Sequence, residues 1–195
     1  MLKIKVILIL FVSILVLPLN AKEPSSLITE IVNEASIILS SSDPVESKII
    51  KLNNIAEINV DIKGIGMYTL GKERKNLTED QNIKYEKLFK SYFLKSFSSR
   101  LVDYSDPKIN VVSEKKLNDK YTIVNTVLEE TSKNPKIKID WRIYTKNPER
   151  PLIRDVIVEG LSLARTQKEE FKSIIQNNDG DINYLFKSLE EFIIK

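Results

Sequence analysis

The chain has 195 residues, with 30 Lys and Arg against 27 Asp and Glu, and it contains neither cysteine nor histidine. Those two absences exclude a disulfide framework, a thiol nucleophile, Ser-His-Asp catalysis, the commonest zinc ligand and the usual proton shuttle near neutral pH. A formal net charge of +3 leaves no electrostatic footprint for nucleic acid.

The N-terminus reads MLKIKVILILFVSILVLPLNAKEP, with Lys3 and Lys5 ahead of an uncharged apolar run from Val6 to Leu17, then Pro18 and the small residue Ala21. This is the pattern of a secretory signal peptide over residues 1–21, and the run is shorter than the ~20 apolar residues of a membrane-crossing helix. Removing it takes away Lys3 and Lys5, leaving 28 basic and 27 acidic side chains and a net charge of +1. Residues 22–195 are then expected to form a single domain held by core burial alone.

From Ser25 to Ile62 the spacing is helical, with Leu27, Ile31, Ala35 and Ile38 on one stripe and Asp43-Pro44 opening a second segment. Gly64 and Gly66 are read as a break. Thr78 and Gln81 make a capping box for a long helix whose apolar positions are Tyr85, Leu88, Phe89, Tyr92, Phe93, Phe97 and Leu101. That stripe is unusually aromatic, and periodicity leaves open whether it is plain core or lines a cavity. The period then changes to alternation, predicting strands at 108–116, 119–130, 136–146 and 152–163 joined by short turns, and therefore an antiparallel meander. In KIKIDWRIYT, Ile137, Ile139, Trp141 and Ile143 face one way and Lys138, Asp140 and Arg142 the other. In the next strand Leu152, Val156 and Val158 are set against Ile153, Ile157, Leu161 and Leu163, so both faces need cover. Thr166 with Glu169 suggests another capping box, Phe171, Ile174 and Ile175 give a helix ending near NNDG, and Asp181 starts a last helix with Ile182, Leu185, Leu189 and Phe192 inward. The Lys72, Arg74, Lys75 cluster is a solvated turn.

The acidic and hydroxyl groups of RDVIVEGLSLARTQKEEF invite a catalytic reading. Asp155 and Glu159 on one strand would project from the same face about 13 Å apart, farther than the ~10 Å within which paired carboxylates of glycosidases work. Ser162 has no histidine to activate it and lies just ahead of a helix start, where hydroxyls satisfy backbone donors. Gly160 relieves a bend or a close backbone approach. A hydrolase or isomerase using Asp155 or Glu159 in a hydrophobic pocket is the alternative reading, and an exported structural domain without a pocket is a third.

Three stretches together, LGKERKNLTEDQNIKYEKLFKSYFLKSFSSRLVDYS, IDWRIYT and IRDVIVEGLSLARTQKEEFKSII, resemble the MlaC family of periplasmic phospholipid-binding proteins, also called toluene-tolerance or ABC-transporter auxiliary components, most closely in their alphaproteobacterial versions. The resemblance runs through Leu70, Gly71, Thr78, Gln81, Tyr85, Phe89 and Phe97, then through Asp155, Val156, Glu159, Gly160 and Ser162, with Phe171 following; it spans roughly Asp61 to Phe192. Arg74, Pro151 and Arg154 stand where many members carry aromatic residues.

The resemblance implies an α+β fold, a twisted antiparallel sheet of about four strands packed with helices around a deep apolar lipid pocket. It implies a periplasmic carrier, a monomer, moving phospholipid between an outer-membrane lipoprotein complex and the substrate-binding ring of an inner-membrane ABC transporter, and so maintaining outer-membrane lipid asymmetry. No catalytic residue, metal or cofactor is implied; the ligand is phospholipid. The lining residues expected on this basis are Phe89, Phe93 and Phe97 on the helix and Ile139, Trp141, Ile143, Val156 and Val158 on the sheet. Alternation alone does not say which sheet face meets the ligand.

Overall fold

The computed structural model describes residues 22–104, 107–130 and 135–195; the signal-peptide reading of residues 1–21 and the Asn134 turn lie outside them. Six α-helices run Pro24–Ser40 (α1), Val45–Asn59 (α2), Ile62–Thr69 (α3), Glu79–Leu101 (α4), Leu163–Gln176 (α5) and Ile182–Ile194 (α6). Five strands run Ile109–Asn118 (β1), Tyr121–Leu128 (β2), Ile137–Tyr144 (β3), Leu152–Val158 (β4) and Leu161–Ser162 (β5), hydrogen-bonded in the order β1-β2-β3-β4-β5, each pair antiparallel. This is the expected α+β meander, with a two-residue fifth strand added. Among the described residues no helix is long and apolar enough to cross a membrane.

Local chemistry explains most boundaries. The Thr78–Gln81 capping box forms in full: Gln81 N–H donates to Thr78 Oγ1 and Thr78 N–H to Gln81 Oε1. The Asp181 carboxylate accepts from Asn183 N–H at the start of α6. Asp43 caps nothing; its carboxylate pairs with Lys51, and Pro44 stands at the N-cap of α2 without a side-chain hydrogen bond. The expected break at Gly64 and Gly66 falls inside α3, which Asp61 caps by accepting from Gly64 N–H. Here glycine serves close approach rather than termination: a Cβ on Gly64 would lie 2.3 Å from an Asp61 carboxylate oxygen, and one on Gly66 would lie 2.8 Å from the Phe89 ring.

The strand expected over 152–163 is divided. Glu159 (φ 49°) and Gly160 (φ 82°) form a two-residue turn between β4 and β5, and α5 begins at Leu163 under a Ser162 cap. Thr166 is therefore inside the helix, its hydroxyl donating to Ser162 O, and makes no capping box with Glu169. A β-bulge also changes which residues share a face. Arg142 pairs with Asp155 but Ile143 pairs with Ile153, leaving Arg154 as the extra residue. Ile153 consequently joins Val156 on the helix-covered face, where uninterrupted alternation would have put Leu152. Leu161 and Leu163, expected under cover, are exposed.

Two apolar clusters result. One gathers Ile62, Ile65 and Leu70 with Tyr85 and Phe89 of α4 and the inner faces of α5 and α6. The other sets Leu27, Ile28, Ile31, Val32, Ile38 and Leu39 of α1 and Leu52 and Ile55 of α2 against Val124, Ile143 and Ile153 of the sheet. Val60, between α2 and α3, packs against both.

Candidate functional site

Side chains on the helix-covered face of the sheet grade from sealed to open. Along β3, Ile143 is 0 % exposed whereas Trp141, Ile139 and Ile137 are half-buried; along β4, Ile153 is 3 % exposed whereas Val156 and Val158 are half-buried. Helix α4 shows the same trend. Tyr85 and Phe89 are buried, and Phe93, Phe97 and Leu101 are half-buried. The backbone of α4 runs beside α6, α3 and α2, and its C-terminal half meets the sheet cluster through Phe97, Leu101 and Val102. Half-buried apolar side chains thus occur on the C-terminal half of α4 and on β3 and β4, while Ile143 and Ile153 are sealed.

Of the eight residues singled out in the sequence, six are half-buried: Phe93, Phe97, Ile139, Trp141, Val156 and Val158. The other two lie deeper. Phe89 is packed in the helical cluster against Tyr92, Phe93 and Phe171, and Ile143 is sealed in the sheet cluster. Phe97, Trp141 and Val156 pack against the sheet cluster, and Phe93 against the helical one. Phe93 and Phe97 stack nearly parallel with centroids 6.1 Å apart. Trp141 is held by its indole N–H, which donates to Thr126 Oγ1 at 2.9 Å, while the Thr126 hydroxyl donates to Ile139 O. Half-exposed apolar surface gains free energy on being covered, at roughly 25 cal/mol per Å².

Polar groups of α4 are engaged in holding the fold. Tyr85 Oη donates to Gly66 O at 3.1 Å and lies 2.8 Å from Thr69 Oγ1; burial pushes its hydroxyl far above the ordinary tyrosine range, against the opposing hydrogen bond from Thr69. Burial, helped by the Glu170 charge, likewise raises Tyr92, whose hydroxyl donates to Gln167 Oε1 at 2.6 Å.

The carboxylates of the suspected catalytic stretch are not a pair. Asp155 is 4 % exposed. One of its oxygens accepts from the Ser162 hydroxyl at 2.7 Å and from Arg142 Nη1 at 3.3 Å, and the other from Ala164 N–H at 3.1 Å. The Ser162 oxygen in turn accepts from Arg165 N–H at 3.1 Å. Glu159 is in the turn rather than on the strand and accepts from Lys138 N–H. Asp155 and Ser162 thus tie β4, β5 and the first turn of α5 together. Among the described residues no group of acidic side chains is placed to hold a metal ion.

Two surface pockets lie elsewhere on the fold. One, of about 260 Å³ between α3 and α4, is lined by Ile62, Gly66, Met67 and Phe89 together with Lys63, Glu86, Lys87 and Lys90. The other, of about 390 Å³, sets Leu27, Ile58 and Pro151 among Lys22, Glu57, Glu149 and Arg150. The first falls short of the ~300 Å³ usual for small-molecule sites, and the second mixes both charge signs without a convergent polar group.

Comparisons with known proteins bear on the family and the fold. The model of the family described as "MlaC protein" matches residues 29–191. Among solved structures, a phospholipid-binding protein from Ralstonia solanacearum in complex with a phospholipid is similar with a TM-score of 0.74 at 17 % identity, over 89 % of this chain and 98 % of that one. No curated protein matches.

Proposed function

The chain belongs to the MlaC family, and from that premise we propose that it is a phospholipid-binding carrier whose ligand lies in an apolar trough between the C-terminal half of α4 and strands β3 and β4, closed at the Ile143–Ile153 end. The observation that carries this reading is the graded exposure of apolar side chains: a sealed floor at Ile143 and Ile153, opening to half-buried Phe93, Phe97, Ile139, Trp141, Val156 and Val158. These six are assigned contact with acyl chains, with Phe89 and Ile143 closing the structure behind them. The Ralstonia solanacearum protein, whose fold this chain shares, holds a phospholipid.

The task of such a carrier is desorption. Two chains of ~16 carbons at ~0.8 kcal/mol per methylene put on the order of 25 kcal/mol of apolar transfer energy at stake, so a water-borne complex needs both chains mostly covered. Closing the trough over a lipid requires α4 and the sheet to part and return, which makes loading and release conformational steps. In this reading residues 1–21 direct export and are removed, and residues 22–195 work in the periplasm as a monomer. There they exchange phospholipid between an outer-membrane lipoprotein complex and the substrate-binding ring of an inner-membrane ABC transporter, so supporting outer-membrane lipid asymmetry. No bond is made or broken, and no cofactor takes part. Of the two carboxylates a hydrolase or isomerase would use, Asp155 has both oxygens committed to the fold, and Glu159 sits in the β4–β5 turn accepting from Lys138 N–H.

The test is to purify the protein without detergent, extract it and analyse the extract by mass spectrometry. Co-purifying phospholipid, with transfer of labelled phospholipid to vesicles, is the expected result; a protein that arrives empty and takes up none from vesicles refutes the proposal.

A further inference from the structure

The helical cluster and the sheet cluster meet where the chain passes from α2 to α3, and an unusual concentration of contacts gathers there. Val60 forms a parallel bridge with Ile153, and Asp61 N–H donates to Ile153 O at 2.9 Å. The Asp61 carboxylate is used at both ends: one oxygen caps α3 through Gly64 N–H, and the other accepts from Arg154 Nε at 2.6 Å. Arg154 is the extra residue of the β4 bulge. Its Nη1 donates to Tyr121 Oη at 3.1 Å, and its guanidinium carbon lies 3.8 Å from the centroid of the Tyr144 ring. One side chain therefore joins β2, β3 and β4 to the first turn of α3.

Its position relative to the trough gives this joint a further role. It stands beside the sealed end, at Ile153, so sheet and α3 cannot separate there without loosening it. The neighbouring tie from the sheet to α5, through Asp155, is sealed, with 3 % of that side chain exposed; the Arg154 and Asp61 side chains are 31 % and 18 % exposed. A half-exposed ion pair is strong enough to hold a closed state, yet water can replace its partners when it opens. Resting on the carrier reading above, we propose that the Arg154–Asp61 pair is a latch between the two bodies of the fold, which sets how often the sheet swings from α3 and hence how fast the trough admits and releases lipid.

The latch can be read without a lipid, because Trp141, the single tryptophan, is half-buried against the sheet cluster and is among the residues assigned to the trough. In the protein without residues 1–21, Arg154→Gln is expected to raise acrylamide quenching of Trp141 and amide exchange at Asp61, and to speed release of a fluorescent phospholipid to phosphatidylglycerol–phosphatidylethanolamine vesicles roughly three- to tenfold, as for loss of a partly desolvated charged pair. Arg154→Lys should fall between, since the charge stays while the planar fork and ring stacking are lost. Asp61→Asn keeps an oxygen for Gly64 N–H and so serves if Arg154→Gln does not fold; it should match Arg154→Gln, and the double variant should add nothing. Lower melting temperatures with unchanged quenching, exchange and release, or additive effects in the double variant, overturn the latch. If the unaltered protein takes up no phospholipid, the carrier reading fails, while quenching and exchange still decide the latch.

Discussion

Replacing Val158 with tryptophan separates a lipid trough from an ordinary core. Val158 is half-buried opposite Ile139 at the open end of the sheet face, so an indole there can extend into space the proposal gives to acyl chain. If it displaces about four methylenes at ~0.8 kcal/mol each, bound lipid loses about 3 kcal/mol, a roughly hundredfold weaker complex. Folding should suffer little, because no sealed packing is invaded. The matched control is Ile143→Trp at the closed end, where the side chain is 0 % exposed; overpacking a sealed site costs about 1 to 3 kcal/mol or more, with lipid binding lost only as the fold is lost. Melting temperature and lipid stoichiometry, measured on the same preparations, give the two readouts. Reversed behaviour, with Val158→Trp unfolding and Ile143→Trp tolerated, or Val158→Trp binding lipid normally, refutes the assignment of the trough to this face.

Ser162→Ala should cost about 0.5 to 2 kcal/mol through the lost helix cap, and Asp155→Asn about 1 to 3 kcal/mol through a weakened buried network. Both should leave phospholipid transfer intact in urea-stable preparations, and loss of transfer by a well-folded Ser162→Ala variant restores an active-site reading. Gly66→Ala should lower the denaturation midpoint because its Cβ meets the Phe89 ring at 2.8 Å, whereas Gly160→Ala, with nothing within 4 Å but φ at 82°, should cost only the ~1–2 kcal/mol of a left-handed backbone. The raised Tyr85 contributes stability that is fully present below the ordinary tyrosine pKa and is lost as pH rises through the folded-state value. Difference absorbance against Tyr85→Phe should therefore show no Tyr85 phenolate near pH 10 while the protein remains folded, and a normal tyrosine titration there contradicts its burial.

Local rules settled much of this architecture from sequence, because each depends on residues a few positions apart. Helical spacing placed the Leu27, Ile31 and Ile38 stripe, Thr78 and Gln81 marked the start of α4, and period-two alternation put Ile139, Trp141 and Ile143 on one face. The same spacing could not distinguish buried Phe89 from half-buried Phe93, since both occupy one helical stripe and only the packing of α5 and α6 over the first half of α4 separates them. The face of β4 escaped alternation because the bulge at Arg154 shifts the register, a decision made by pairing with β3. Gly64 and Gly66 looked like a stop until Asp61 and Phe89 were seen pressed against them. Asp155 and Ser162 drew attention as chemistry and proved to be joinery: a carboxylate's role depends on which donors reach it, and Arg142 and the backbone of Ala164 are brought to Asp155 only when sheet and helix assemble.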